Sequence, residues 1–164
     1  MKILGIDPGT ATLGWGVINA EGGRLEAVAY GHISTSKDLP LAARLKEIAT
    51  DLETLLEIHQ PEEAAVEELF FFNNQKTAMA VGQARGAILL TLERFGIRIA
   101  EYTPLEIKQA LTNYGRADKL QVQTMVKALL KLKTIPKPDD AADALAIAVC
   151  HSNRRRMENI RNSK

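Results

Sequence analysis

The first third of the chain alternates apolar runs with turn-forming residues, in the way that strands and tight turns do. Apolar residues dominate 2–7, 13–19 and 24–35, and glycine or proline separates each run from the next. Short apolar runs bounded by such residues predict β-strands. We therefore expect three consecutive strands that form a meander.

The rest of the chain changes to helical spacing, interrupted by short strands. Leucine and isoleucine recur on one helical face over 39–59, and Pro61 ends that helix. The same pattern predicts strands over 64–68 and 97–102, and helices over 74–95, 104–111, 119–132 and 138–157. Strands that alternate with helices indicate the α/β class, with helices covering the faces of a sheet.

The composition is that of an ordinary globular chain. Its 164 residues are 46% hydrophobic and 25% charged, and this length favours a single domain. We expect the domain to span 1–157 and the basic residues 158–164 to form a frayed tail. The single cysteine, Cys150, can form no internal disulfide, which favours a reducing, cytoplasmic setting. No apolar run approaches the roughly 18 residues that a membrane span needs.

The net charge of +1 hides an uneven distribution. Residues 1–100 carry 9 Lys or Arg and 13 Asp or Glu, whereas residues 101–164 carry 12 and 7. Charges scattered over solvated helix faces would explain these counts as well as an acidic pocket beside a basic surface would. The charge therefore excludes a uniformly basic nucleic-acid binder, and it leaves open a localised basic surface.

Four carboxylates stand where an α/β fold builds ligand sites. Asp7 closes the first predicted strand, and Glu67 and Glu68 close the fourth. Ligands bind at the carboxyl ends of such strands. Asp140 and Asp143 are three residues apart, so they share one face of a helix. Each acid alone is explained as a turn residue, a solvated strand end or a helix N-terminal acid. Together they are oxygen donors suited to Mg²⁺ or Mn²⁺, which predicts a two-metal site for phosphoryl transfer.

The helix predicted over 74–95 contains many small residues. Gly82 and Gly86 each cost about 1 kcal/mol relative to alanine, so their presence needs a reason. Tight packing within one subunit and the seam of a symmetric homodimer explain them equally well. Arg85 lies between them, where it can contact either DNA or the dimer partner, and the sequence leaves that choice open.

Six motifs, taken in order, resemble those of the RuvC family of Holliday junction resolvases. They lie at 5–17 (GIDPGT and GWGV), 66–70, 82–86, 107–110, 119–123 and 140–148. The resemblance implies a ribonuclease H-like fold, in which helices flank a five-stranded mixed sheet. It also implies a homodimer, joined through the 74–95 helix, that nicks two opposing strands of a four-way DNA junction and leaves 5′-phosphate ends.

The resemblance assigns roles to individual residues. It implies that the four acids are catalytic and hold Mg²⁺, two ions per site, for which Mn²⁺ can substitute. It implies that Phe70 stacks on a base and that Lys108 and Lys119 contact phosphates. We add Lys76, Arg85 and Arg116 as DNA-binding candidates, and the branch-migration proteins RuvA and RuvB as partners. Whether Glu68 or His151 assists the reaction is left open.

Three alternatives compete with this interpretation. Residues 7–10 with Gly14 also resemble the phosphate loop of actin-like and sugar-kinase-like ATPases, but those folds need a second domain that 164 residues cannot supply. A YqgF-like RNA-processing nuclease shares the Asp-bearing first strand, although the Phe70 segment and the basic C-terminal third favour DNA junctions. A non-catalytic junction-binding protein is disfavoured because all four acids are present.

Overall fold

In the computed structural model, which describes residues 1–68 and 75–162, five strands form one mixed sheet. The strands are β1 (Lys2–Asp7), β2 (Thr12–Glu21), β3 (Arg24–Ser34), β4 (Glu63–Glu67) and β5 (Arg98–Tyr102). Their order is β3-β2-β1-β4-β5, in which β1 to β3 are an antiparallel meander and β4 and β5 run parallel to β1. The predicted meander and mixed five-stranded sheet are confirmed.

Helices cover both faces of this sheet. Those found in the described residues are α1 (Leu41–His59), α2 (Gln75–Arg94), α3 (Pro104–Thr112), α4 (Lys119–Leu129) and α5 (Asp139–Asn162). All five helices were predicted, but α4 and α5 end at residues other than the predicted ones. α4 stops short of the predicted residue 132 because Lys131 adopts a left-handed φ of 53°, and α5 continues beyond 157. Within the described ranges, no helix is long and apolar enough to cross a membrane.

Successive side chains of the central strands point alternately into two hydrophobic cores, one on each face of the sheet. Ile3 and Ala65 pack against α3, α4 and α5, while their chain neighbours pack against α1 and α2 on the other face. Because side chains along a strand alternate in direction, steps of two residues lead from Ile3 to Asp7 and from Ala65 to Glu67 on one face. Both acids therefore project from the face that α5 covers.

Glycines allow α5 to lie directly on β1 and β2. A Cβ atom on Gly5 would lie 2.0 Å from the carbonyl oxygen of Ala144, and one on Gly14 would lie 2.1 Å from the carbonyl oxygen of Asp140. Only a residue without a side chain permits so close an approach. These glycines thereby set how near the acidic start of α5 comes to the sheet.

Candidate active site

The four predicted carboxylates converge at the carboxyl end of β1. The parallel register of β1 and β4 brings Asp7 and Glu67 side by side. Asp140 lies over Gly14, which is the β2 residue paired with Asp7, and Asp143 follows about one helical turn later. The charges of the three other acids all raise the pKa of Asp7, as expected for neighbours in one cluster.

Burial and mutual repulsion shift the titration of this cluster. Burial is the largest cause that raises the pKa of Asp7 from 3.8 to about 8, and the charges of Glu67, Asp143 and Asp140 add to it. Burial, followed by the charge of Asp143, raises the pKa of Glu67 to about 7. Burial also raises the pKa of Asp143, although Lys119 opposes it. The cluster thus lacks positive charge, which a bound cation would supply.

Lys119 supplies part of that positive charge. Its Nζ lies 3.0 Å from Oδ2 of Asp143 and 3.6 Å from Oδ2 of Asp139. A capping box formed by Asp118 and Gln121 starts α4 at this lysine, so the cap fixes its position at the edge of the site. The hydrogen bond to Asp143 raises the pKa of Lys119.

Lys108 and Lys119 line the same cleft as Glu67 and Asp143. The cleft has a volume of about 240 Å³. Its remaining walls are formed by Pro104 and Ile107 of α3, Val122 of α4, and Ala146 and Ile147 of α5. The Lys108 charge reaches Glu67, whose pKa it lowers against the effect of burial. Larger depressions lie at the far end of α5, away from the acids.

The other predicted DNA contacts lie in different places. Arg116 is exposed in the loop that leads into α4. Arg85 forms an ion pair with Glu101 of β5, on the face of the sheet opposite Asp7. Phe70 lies outside the described residues, and so does the side chain of Lys76.

His151 belongs to the core and does not face the cleft. It is 3% exposed, and its Nε2 lies 2.6 Å from Oε2 of Glu63 while its Nδ1 lies 2.8 Å from the hydroxyl of Tyr102. Burial lowers the pKa of the ring. Arg155 completes this cluster by donating to Glu63 Oε1 at 2.8 Å.

Sequence reasoning missed Glu63 as the centre of this cluster. Glu63 is 5% exposed although it opens a strand. Two-residue alternation relates it to Ala65 and Glu67, so the pattern could have shown that it faces α5. The identity of its partners could not have been read locally, because they lie about 90 residues away in the chain.

The donor set fits a hard divalent cation. The four acids offer only carboxylate oxygens, which suit Mg²⁺ or Mn²⁺ better than zinc. Across residues 1–68 and 75–162, no three carboxylate, imidazole or thiol groups already stand at the spacing of a metal-binding cluster.

Comparison with known proteins gives one consistent family. The family model described as "Crossover junction endodeoxyribonuclease RuvC" matches residues 3–151. A protein of that name from Rubrobacter xylanophilus is 56% identical over 155 residues, which cover 94% of this chain and 87% of the relative. The solved structure of Thermus thermophilus RuvC has a TM-score of 0.90 at 38% identity and covers 96% of this chain and 97% of its own.

A second structure shows the Thermus protein with DNA. It is described as T. thermophilus RuvC in complex with a Holliday junction substrate, and it matches with a TM-score of 0.88 at 37% identity. The match covers 96% of each chain. The likeness to these resolvases confirms the predicted ribonuclease H-like fold.

Proposed function

Because the chain belongs to the RuvC family of crossover junction endodeoxyribonucleases, we propose that it resolves four-way DNA junctions by nicking two opposing strands. The observation that carries the mechanism is the convergence of Asp7, Glu67, Asp140 and Asp143 beside two lysines. Recombination and DNA repair in the cytoplasm are the processes that such an activity would serve.

We propose that these four carboxylates hold the catalytic metal, two Mg²⁺ ions per site, with Mn²⁺ as a substitute. When bound, the ions would activate a water molecule and stabilise the oxygen that leaves. Hydrolysis adds the oxygen of water to phosphorus and breaks the bond to the 3′ oxygen, which takes up a proton. The products are a 5′-phosphate and a 3′-hydroxyl, so the nick remains open to ligation.

The lysines would orient the phosphodiester over the acids. Lys119 is 55% exposed while its Nζ contacts Asp143, so it can meet a phosphate oxygen without leaving the cluster. Lys108 lines the cleft on the α3 side. We propose that both bind phosphate, that Arg116 and Lys76 extend this surface, and that Phe70 stacks on a base at the junction.

We also propose a homodimer joined through α2. Met79 and Leu90 of this helix are 74% and 63% exposed. A Cβ on Gly82 or Gly86 would meet nothing within 4 Å, so packing within the subunit does not require these glycines. Both observations favour a seam between two copies, which would present two sites related by twofold symmetry. Docking of RuvA and RuvB is proposed from the family resemblance.

The test is incubation with a synthetic four-way junction in Mg²⁺, with linear duplex DNA and single-stranded RNA as controls. We expect symmetric nicks confined to the junction. Asp7→Asn should bind the junction without cutting it, whereas Asp139→Asn, at the half-exposed start of α5, should retain cleavage. Cutting of the RNA alone would support the YqgF-like alternative, and binding without cutting by the wild type would support the non-catalytic one.

A further inference from the structure

The row of residues that carries Glu67 and Asp7 continues across β2 to the edge of the sheet. Asp7 pairs with Gly14, and Gly14 pairs with His32 of β3. Paired residues on neighbouring strands project from the same face, so His32 stands on the α5 face in line with the acids. At about 4.8 Å between strands, the Cα of His32 lies roughly 10 Å from that of Asp7.

The His32 side chain is open to solvent and has no structural partner in the described part of the chain. It forms no hydrogen bond, ion pair or ring contact there. The other histidines are both engaged, His59 against the ring of Trp15 at 5.6 Å and His151 against Glu63. β3 is an edge strand, so no further strand covers it. Packing therefore does not explain why an imidazole stands here.

The position of His32 fits a contact with the substrate. Lys108 and Lys119 stand on the β4 and α4 side of the acids, and His32 stands on the β3 side. Gly14 has no side chain, and the start of α5 lies over it at Asp140. His32 therefore flanks the acids from the β3 side of the first turn of α5. A DNA strand laid across the acids would carry its next phosphate toward β3, where Lys37 is also exposed in the following turn. An imidazole donates an N–H to phosphate in either protonation state.

We propose that His32 is a further substrate-contacting residue, which binds the phosphate next to the cleaved one on the β3 side of the site. This inference rests on the proposed junction-cleaving function. The proposal adds a second side to the DNA-binding surface, formed by the N-terminal half of the chain. The DNA-binding candidates predicted from the sequence all follow residue 69.

The test compares His32→Ala with His32→Gln, which keeps an N–H donor. Single-turnover cleavage of a four-way junction, measured over a range of enzyme concentrations, separates the half-saturating concentration from the maximal rate. His32→Ala should raise the half-saturating concentration about five- to tenfold, the effect of one lost phosphate hydrogen bond, and leave the maximal rate within about twofold. His32→Gln should recover most of the affinity.

Arg24→Ala is the matched control, because Arg24 is an exposed cation on the same strand at the far end of the sheet. An unchanged half-saturating concentration in His32→Ala, or an equal loss in Arg24→Ala, would overturn the proposal. A fall in the maximal rate alone would also overturn it, since that result assigns His32 to the chemical step. If the wild type cuts no junction, the proposed function fails instead.

Discussion

Neutralising Asp7 should stabilise the metal-free protein while it abolishes cleavage. The folded state raises the pKa of Asp7 from 3.8 to about 8, chiefly through burial and then through the charges of Glu67, Asp143 and Asp140. Between pH 4 and pH 8 the folded protein keeps a proton that the unfolded chain has released. Raising the pH over this window therefore favours unfolding.

The structure sets the size of this effect. One pKa unit corresponds to about 1.4 kcal/mol, so a rise from 3.8 to about 8 gives an upper limit of about 6 kcal/mol. Water and counter-ions reach the open side of the cleft and screen part of this cost. At pH 8 we therefore expect the free energy of unfolding of Asp7→Asn to exceed that of the wild type by about 2–3 kcal/mol. At pH 5 the two free energies of unfolding should differ much less.

Urea denaturation followed by circular dichroism in EDTA measures this difference at each pH. Saturating Mg²⁺ should reduce the difference in the free energy of unfolding, because the ion binds the folded wild type better than the folded variant. Asp139→Asn is the control. The Asp139 side chain is 48% exposed, and its hydrogen bond with Lys137 lowers its pKa, so neutralising it should not raise the free energy of unfolding at pH 8. A variant equally stable or less stable than the wild type at pH 8 would refute the reasoning.

Three further substitutions probe the packing around the site. Gly14→Ala drives a Cβ into the α5 backbone, so we expect a loss of about 1–3 kcal/mol in urea denaturation and at least a tenfold slower cleavage. Leu90→Glu places a charge in the proposed dimer seam, and sedimentation velocity should then show monomers. Glu63→Ala leaves His151 and Arg155 without their shared carboxylate, which should cost about 3–5 kcal/mol in the same denaturation assay.

Each of these variants has a matched control. Glu26 is exposed on β3, so Glu26→Ala should change the free energy of unfolding by less than about 1 kcal/mol. Met157 is 62% exposed on another helix, and Met157→Glu should stay dimeric. Glu62 is exposed beside Glu63, and Glu62→Ala should cost less than about 1 kcal/mol. Equal effects in a variant and its control would show that the contact named for that site does not cause the change.

The strands and most helices could be predicted because the signals for them are local. Glycine and proline separate the first apolar runs, and a capping box starts α3 at Thr103 and Glu106. The end of α4 could not be predicted, because it depends on the left-handed backbone of Lys131 in a run of good helix formers. Local propensity decides where an element forms better than where it ends.

The acids of the site could be predicted from their positions in the sequence, whereas the ion pairs elsewhere on the sheet could not. The rule that ligands bind at the carboxyl ends of strands predicted that Asp7 and Glu67 lie at one edge of the sheet. The pairing of Arg85 with Glu101, like that of Glu63 with His151, joins residues far apart in the chain. Such pairs depend on how helices pack across the sheet, which no local pattern encodes.

The elements that carry the acids are held together by contacts away from the acids. Asp7 and Glu67 end two neighbouring parallel strands of the sheet. The backbone of α5 packs directly against Gly5 and Gly14 of the sheet. Farther along, His151 ties α5 to β4 through Glu63. Because these contacts fix the three elements, burial and then the repulsion from neighbouring carboxylates raise the pKa values of Asp7 and Glu67, and the acids are not driven apart. A site built this way is less stable without its cation than with it, which is why neutralising Asp7 is expected to stabilise the fold and remove the activity together.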